Sequence, residues 1–278
     1  MWAIATRDDA LTHAALTHDG AIRRDIRLIR PDGAQDGSSR LLAIEAPVSI
    51  EFNGIAYAVM MATPVDLHDF VTGFALAERI VGSPADLTHI DIVQVEKGWV
   101  VRATIGGDRV DQLMVRVRHR VAESSCGLCG MDNLDEVTRP LPPVAQGPAI
   151  IGTAIFRALD SLRGHQPLGG ATGATHAAAF VTADGTILHA REDVGRHNAL
   201  DKLVGALARE GIAAASGFLL VSSRCSYEMV EKAVLAGAHT LVAISAPTSL
   251  AVERAAQAGL TLVALARSDS AWLLPPDA

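Results

Sequence analysis

Two thiols stand in the run Ser124-Ser125-Cys126-Gly127-Leu128-Cys129-Gly130. A pair at this spacing can share a metal, close into a disulfide, or accept and pass on a sulfane sulfur. Structural zinc commonly takes four nitrogen or sulfur ligands, and this chain has one such pair plus the distant Cys225. A thioredoxin-like site wants its cysteines at a helix start inside a βαβ unit, whereas the runs before Cys126 read as an antiparallel lobe. Two inert core cysteines sit badly with Gly127 and Gly130, which loosen a backbone rather than pack one. A persulfide carrier fits the pattern, because its thiolate takes a donor's terminal sulfur and must then reach an acceptor, a task suited to a glycine-hinged loop. Arg116, Arg118, His119 and Arg120 would favour that thiolate if they lie near it. An alternating Arg run is equally the solvated face of a strand.

A second dense segment is Arg191-Glu192-Asp193-Val194-Gly195-Arg196-His197-Asn198-Ala199-Leu200-Asp201-Lys202. If Asp193 caps a helix, His197 with Asp201 and Asn198 with Lys202 fall one turn apart on a polar side, with Leu200, Leu203, Val204 and Leu207 facing a core. That concentration of functional groups suggests a site, and its plain alternative is a salt-linked surface helix. Upstream, Gly169-Gly170-Ala171-Thr172-Gly173-Ala174-Thr175-His176 reads as a flexible loop whose N–H groups would wrap an anion. His176 either touches a ligand or fills a polar gap.

These groups need a scaffold, and the pattern divides it in two. Residues 1–40 are mixed and turn-rich, and PDGAQDGSSR reads as a mobile connection. Residues 41–121 read as a small α+β lobe: LLAIEAPVSIEF and IAYAVMMA flank the hairpin dipeptide Asn53-Gly54, and Thr63-Pro64 opens an amphipathic helix running towards Gly82. IDIVQVE, WVVRATI and DQLMVRVRHR add strand-like runs. Residues 122–148 hold the cysteine loop and a Pro-rich connection, and 149–278 form an α/β lobe. In that lobe GFLLVSS, TLVAIS and LTLVALA alternate with helical stretches, the signature of parallel pairing through right-handed crossovers.

Ligands of such sheets sit beyond the carboxyl ends of the strands, where helix amino termini also point. Here those ends carry Ser222-Ser223-Arg224, Ser245-Ala246-Pro247-Thr248-Ser249 and Arg267-Ser268-Asp269-Ser270, which together make a phosphate or nucleotide cradle. Taken singly, each loop also reads as ordinary Ser/Thr capping.

The bulk properties narrow the field. Of 278 residues 49% are hydrophobic and 20% charged, so the chain folds around a core. With 24 Lys+Arg against 31 Asp+Glu and a net charge of −7, there is no global positive field for nucleic acid. Three cysteines and an N-terminus without a signal-peptide layout point to a reducing, cytoplasmic setting, and no apolar stretch reaches membrane-spanning length.

In order, SSCGLCG, TGATHAAAF, REDVGRHNALDKLVG, SSRCSYEMVEKA and SAPTSLAVERA resemble the FdhD family of formate dehydrogenase accessory sulfurtransferases. The resemblance implies a cytoplasmic homodimer whose larger lobe has a cytidine-deaminase-like α/β fold. It implies that sulfur from a cysteine desulfurase passes through the cysteine loop to the molybdenum or tungsten bis-guanine-dinucleotide cofactor (bis(molybdopterin guanine dinucleotide)) before that cofactor enters formate dehydrogenase. GDP stands in for the cofactor's nucleotide halves. Cys126 matches the persulfide-bearing cysteine and Cys129 its partner, and the cofactor-binding segment corresponds to Leu265, Ala266, Arg267, Ser268, Asp269 and Ser270. Here it reads LARSDS where relatives often show Phe-Ala-Arg and then more basic residues, so Arg267 is the position that carries over directly. Cys225 is no part of the implied mechanism. Deaminase chemistry does not come with the fold, because His176 is followed by Ala177-Ala178 rather than by the x-Glu that moves protons.

Overall fold

The structure, a computed structural model, describes residues 20–107, 109–110, 113 and 139–274. It opens with a two-stranded ribbon, β1 (Ala21–Ile29) against β2 (Gln35–Ala43), in continuous antiparallel register. PDGAQDGSSR is therefore turn and strand rather than the expected mobile connection. Gly33 takes φ 83°, Asp32 Oδ1 accepts from Ala34 N at 2.9 Å, and Arg30 meets Asp36 across the ribbon at 2.9 Å.

The smaller sheet has order β4-β3-β6-β5, built from β3 (Ala46–Phe52), β4 (Ile55–Ala62), β5 (Leu87–Val95) and β6 (Gly98–Ile105). Asn53 and Gly54 turn the first hairpin at φ 51° and 77°, the left-handed values that the dipeptide tolerates. Helix α1 (Leu67–Ala77) covers one face, laying Phe70, Val71 and Phe74 over Val48, Ile50 and Phe52. Its N-cap is Asp66, not Thr63 as expected; Thr63 is fully buried and bonded elsewhere. Of the DQLMVRVRHR run expected as a strand, Leu113 is described, and it is helical and buried.

After α2 (Gly152–Leu162) and the short α3 (Pro167–Thr172) comes a mixed sheet of order β12-β11-β10-β9-β7-β8. Its strands are β7 (His176–Thr182), β8 (Ile187–Asp193), β9 (Gly217–Val221), β10 (Thr240–Ala243), β11 (Thr261–Ala264) and β12 (Trp272–Leu274). The central β9, β10 and β11 run parallel. Helices α4 (Arg196–Glu210), α5 (Tyr227–Leu235) and α6 (Ser249–Ala258) share one face and α2 packs on the other, which is why β9 and β10 are buried along their whole length.

Helices α1 and α4 join the two lobes at backbone contact. A Cβ on Gly73 would lie 1.8 Å from the Asp201 carbonyl oxygen, and one on Gly205 would lie 1.8 Å from that of Asp69. Asp69 also binds Arg191 at 2.8 Å and pairs with Arg209, so charge as well as shape closes the joint. No helix among the described residues is long and apolar enough to cross a membrane.

Candidate functional site

One edge of the mixed sheet gathers most of the chemistry. Because β8 lies antiparallel to β7 and β7 antiparallel to β9, the carboxyl ends of β8, β9, β10 and β11 share this edge with the first residue of β7. Helices α4, α5 and α6 each follow one of those strand ends, so three positive helix termini face the same rim. Backbone bonds stitch the loops together: Cys225 N to Ala246 O at 3.2 Å, Thr248 N to Cys225 O at 3.0 Å, Leu265 N to Ser245 O at 3.2 Å and Ala266 N to Ala243 O at 3.1 Å. Leu265 adopts φ 46°, a conformation costly for a branched side chain, and turns the chain away at the end of β11.

The loops expected to form a cradle do meet on this rim, in unequal roles. Arg224 and Arg267 are exposed. Ser268, Asp269 and Ser270 are exposed too, in a turn closed by Arg267 N to Ser270 O at 2.8 Å, whereas Ala266 is buried. Thr248 caps α6, its Oγ1 accepting from Ala251 N at 3.3 Å, so for this hydroxyl the capping reading holds. Ser223 is buried and donates to Arg224 O at 2.9 Å, while Ser222 Oγ accepts from Ala177 N at 2.9 Å and ties β9 to β7.

The Gly169–His176 segment differs from the loop the sequence suggested. Gly169 to Thr172 are helical, and the N–H groups of Leu168 and Gly169 donate to the Glu192 carboxylate at 2.8 and 2.7 Å, joined by Thr175 Oγ1 at 3.0 Å. The anion those amides wrap is the protein's own. Thr172 spends its hydroxyl on Leu168 O at 2.8 Å. His176 does face the rim region, opposite Asp193 in register. Burial holds its pKa below the ordinary histidine value, Arg196 and His197 push the same way, and Asp193 opposes them.

Asp193 is not a helix cap: Gly195 takes that position, and Asp193 ends β8 with no exposure. Its Oδ1 accepts from Gly195 N at 2.7 Å and Asn198 Nδ2 at 2.9 Å; its Oδ2 accepts from Thr63 N at 3.0 Å and meets Lys202 Nζ at 2.6 Å. Lys202 also donates to Thr63 O at 2.9 Å and Glu192 O at 3.2 Å, and burial draws its pKa down against the pull of Asp193. Asp201 binds Lys232 at 2.7 Å, and burial raises its pKa. The supposed polar side of α4 is thus a buried joint between lobes. Moving the cap from Asp193 to Gly195 leaves Arg196 and His197 in the first turn at the rim, with His197 Nε2 2.9 Å from Glu228 Oε2. Glu228 had no role in the sequence reading, and Thr63 had only that of a helix cap. The Val194-Gly195 break was the available signal for the shifted helix start.

Cys225 is fully buried and its thiol is pushed up to about 12 by burial, so it behaves as a small hydrophobic core residue. Cys126, Cys129 and the Arg116–Arg120 run lie outside the described residues.

The FdhD/NarQ family model matches residues 43–273. A sulfur carrier protein FdhD of Bordetella bronchiseptica is 48% identical over 237 residues, covering 85% of this chain and 86% of that protein. Its namesake in Xanthomonas campestris pv. campestris is 45% identical over 249 residues, covering 89% and 88% respectively. A crystal structure from Desulfotalea psychrophila, assigned as a formate dehydrogenase accessory protein, superposes with a TM-score of 0.72 over 92% of this chain and 96% of its own, at 23% identity. That likeness establishes the fold.

Proposed function

The chain belongs to the FdhD/NarQ family, and on that premise we propose that it is a sulfur carrier that serves formate dehydrogenase. In this reading the Cys126 thiolate attacks the terminal sulfur of a cysteine desulfurase persulfide and displaces the desulfurase thiolate, one S–S bond forming as another breaks. Cys126 then carries the sulfur, with Cys129 beside it in sequence as its partner thiol. The acceptor is the bis(molybdopterin guanine dinucleotide) cofactor, bound as substrate, and GDP mimics each of its halves. The protein acts as a homodimer in the reducing cytoplasm, where a thiolate persists.

The observation that carries this reading is the convergence of three helix amino termini, with Arg224 and Arg267 exposed among them, on one stitched rim. Such a rim favours a polyanion, and a dinucleotide cofactor is one. The curated relatives at 45–48% identity, named sulfur carriers, supply the transfer chemistry to which that rim is fitted.

The test is a mass spectrum after incubation with a cysteine desulfurase and cysteine. One extra sulfur atom on Cys126, removed by a thiol reductant, is the expected result. A Cys126 peptide that never gains sulfur, while the desulfurase itself is charged, defeats the relay.

A further inference from the structure

The ribbon β1–β2 is anchored at its base and bare beyond it. At the base Ala21 is fully buried, Ile44 N donates to Gly20 O at 2.8 Å, and a Cβ on Gly20 would lie 2.8 Å from Thr63 Cγ2. Further out α3 is the main element that packs on it, and Leu28 and Leu42 are 41 and 46% exposed. An isolated pair of strands is at best marginally stable in water, and both edges of this one are open. Its charges are unbalanced as well. Five arginines against three aspartates give residues 20–43 a net charge of +2 in a chain of net −7, so the remainder carries −9. Arg24 lies opposite Arg40 in register, a like-charged cross-strand pair that disfavours the ribbon on its own. Arg30 is satisfied by Asp36, whereas no ion pair reaches Arg24, Arg27 or Arg40 among the described residues. Alternation puts Arg24, Ile26 and Leu28 on one face with Arg40 and Leu42 across from them, so that face mixes apolar area with unpaired positive charge.

Such a face is complemented by a surface of apolar and acidic groups, and a second copy of this chain supplies one. Strand β4 is an open edge of the smaller sheet over eight residues, with Val59 and Met61 66 and 49% exposed. Beside it, just before β3, Glu45 is exposed and unpaired among the described residues. The open edge at β12 also shows apolar side chains, Trp272 and Leu273, but its three residues cannot match a nine-residue strand. Size agrees with charge. Nine residues in two strands give a ribbon about 30 Å long and about 10 Å wide, a face of about 300 Å². Reciprocal exchange covers that area on two ribbons and two acceptors, about 1,200 Å² in all, which reaches the lower bound of a stable interface.

We infer that the β1–β2 ribbon of each copy lies along β4 of a second copy, and that this two-fold exchange is the contact that makes the homodimer. The inference rests on the homodimer reading above and narrows it to one surface. The exchange is self-complementary, as a two-fold interface must be: each copy gives a basic, apolar ribbon and receives one beside Val59, Met61 and Glu45.

Light scattering after gel filtration of the full-length protein, over a dilution series, tests it. The wild type is expected at twice the chain mass. Leu28→Glu with Leu42→Glu, and separately Val59→Glu with Met61→Glu, are each expected to raise the dimer dissociation constant at least tenfold. Circular dichroism should match wild type in both, since all four side chains are exposed. A wild-type dimer that either pair of substitutions leaves intact overturns the exchange while the homodimer stands. A wild-type monomer removes the homodimer reading and this inference with it. Should a glutamate pair fail to fold, Arg24→Glu with Arg40→Glu decides: a weakened dimer supports the exchange, and an unchanged one overturns it.

Discussion

Asp193 and Lys202 meet at 2.6 Å with both side chains fully buried, and Thr63 from the other lobe bonds to each of them. The pair is thus a three-way joint between the end of β8, the body of α4 and the first lobe. Lys202→Met would leave the Asp193 carboxylate without its countercharge and Thr63 O and Glu192 O without their donor. Removing one partner of a buried pair costs about 3–5 kcal/mol. Urea unfolding should show a loss of that size, and a loss below about 1 kcal/mol would mean the joint is not a determinant of stability.

The contact of α1 with α4 makes an equally definite prediction. In Gly205→Ala the new Cβ meets the Asp69 carbonyl oxygen at 1.8 Å and its carbon at 2.7 Å, both backbone atoms that cannot rotate aside. The helices must separate, and overpacking of this kind costs about 1–3 kcal/mol or more. Gly170→Ala, also helical but with open space around its Cβ, should instead gain up to about 1 kcal/mol. Thermal unfolding midpoints that fall for both variants alike would contradict the contact argument.

What the sequence disclosed and withheld follows from the range of the interactions. The β9-α5-β10-α6-β11 alternation was legible because short apolar runs and helical stripes are local patterns, and the meeting of their carboxyl-end loops follows from parallel pairing. The ribbon β1–β2 was not legible: most of its side chains are exposed, so no apolar period marks it. Thr63 before Pro64 reads as a cap because capping is local, whereas its actual partners lie 130 to 139 positions away at Asp193 and Lys202. Gly169 and Gly170 read as flexible for the same reason, since the carboxylate that organises this segment belongs to Glu192 on β8.

Cys225 should be chemically silent in the folded state. With no exposure and its thiol at about 12, almost no thiolate is present near neutrality. Iodoacetamide at mildly alkaline pH is expected to leave Cys225 unmodified in native protein and to label it after denaturation, as peptide mass mapping would read. Labelling at the rate of a free thiol under native conditions would refute its burial.

Arg267 is exposed in the turn after β11, so its loss should be felt in binding rather than in folding. Arg267→Ala is expected to weaken GDP by about 1–3 kcal/mol, the range for a lost charge-assisted hydrogen bond. The unfolding midpoint of the ligand-free protein should not move. GDP affinity equal to wild type would remove Arg267 from the site.

The half-buried His176 and the buried His239 separate fold from ligand by their titration. Burial lowers the folded pKa of His176, aided by Arg196 and His197, and lowers that of His239 alone, both from 6.5. Below 6.5 the unfolded chain therefore binds more protons than the folded one, so stability is complete above that pH and declines as pH falls towards the folded values. An anion on the rim reverses the balance for His176, because negative charge favours the imidazolium. His239 precedes β10 at the opposite edge of the sheet and should not respond. Proton NMR titration with and without GDP should find both residues below 6.5 in the free protein and only His176 raised by the ligand. A His176 that titrates above 6.5 without ligand would show that Asp193 outweighs burial and its cationic neighbours, and that the rim is not electropositive there.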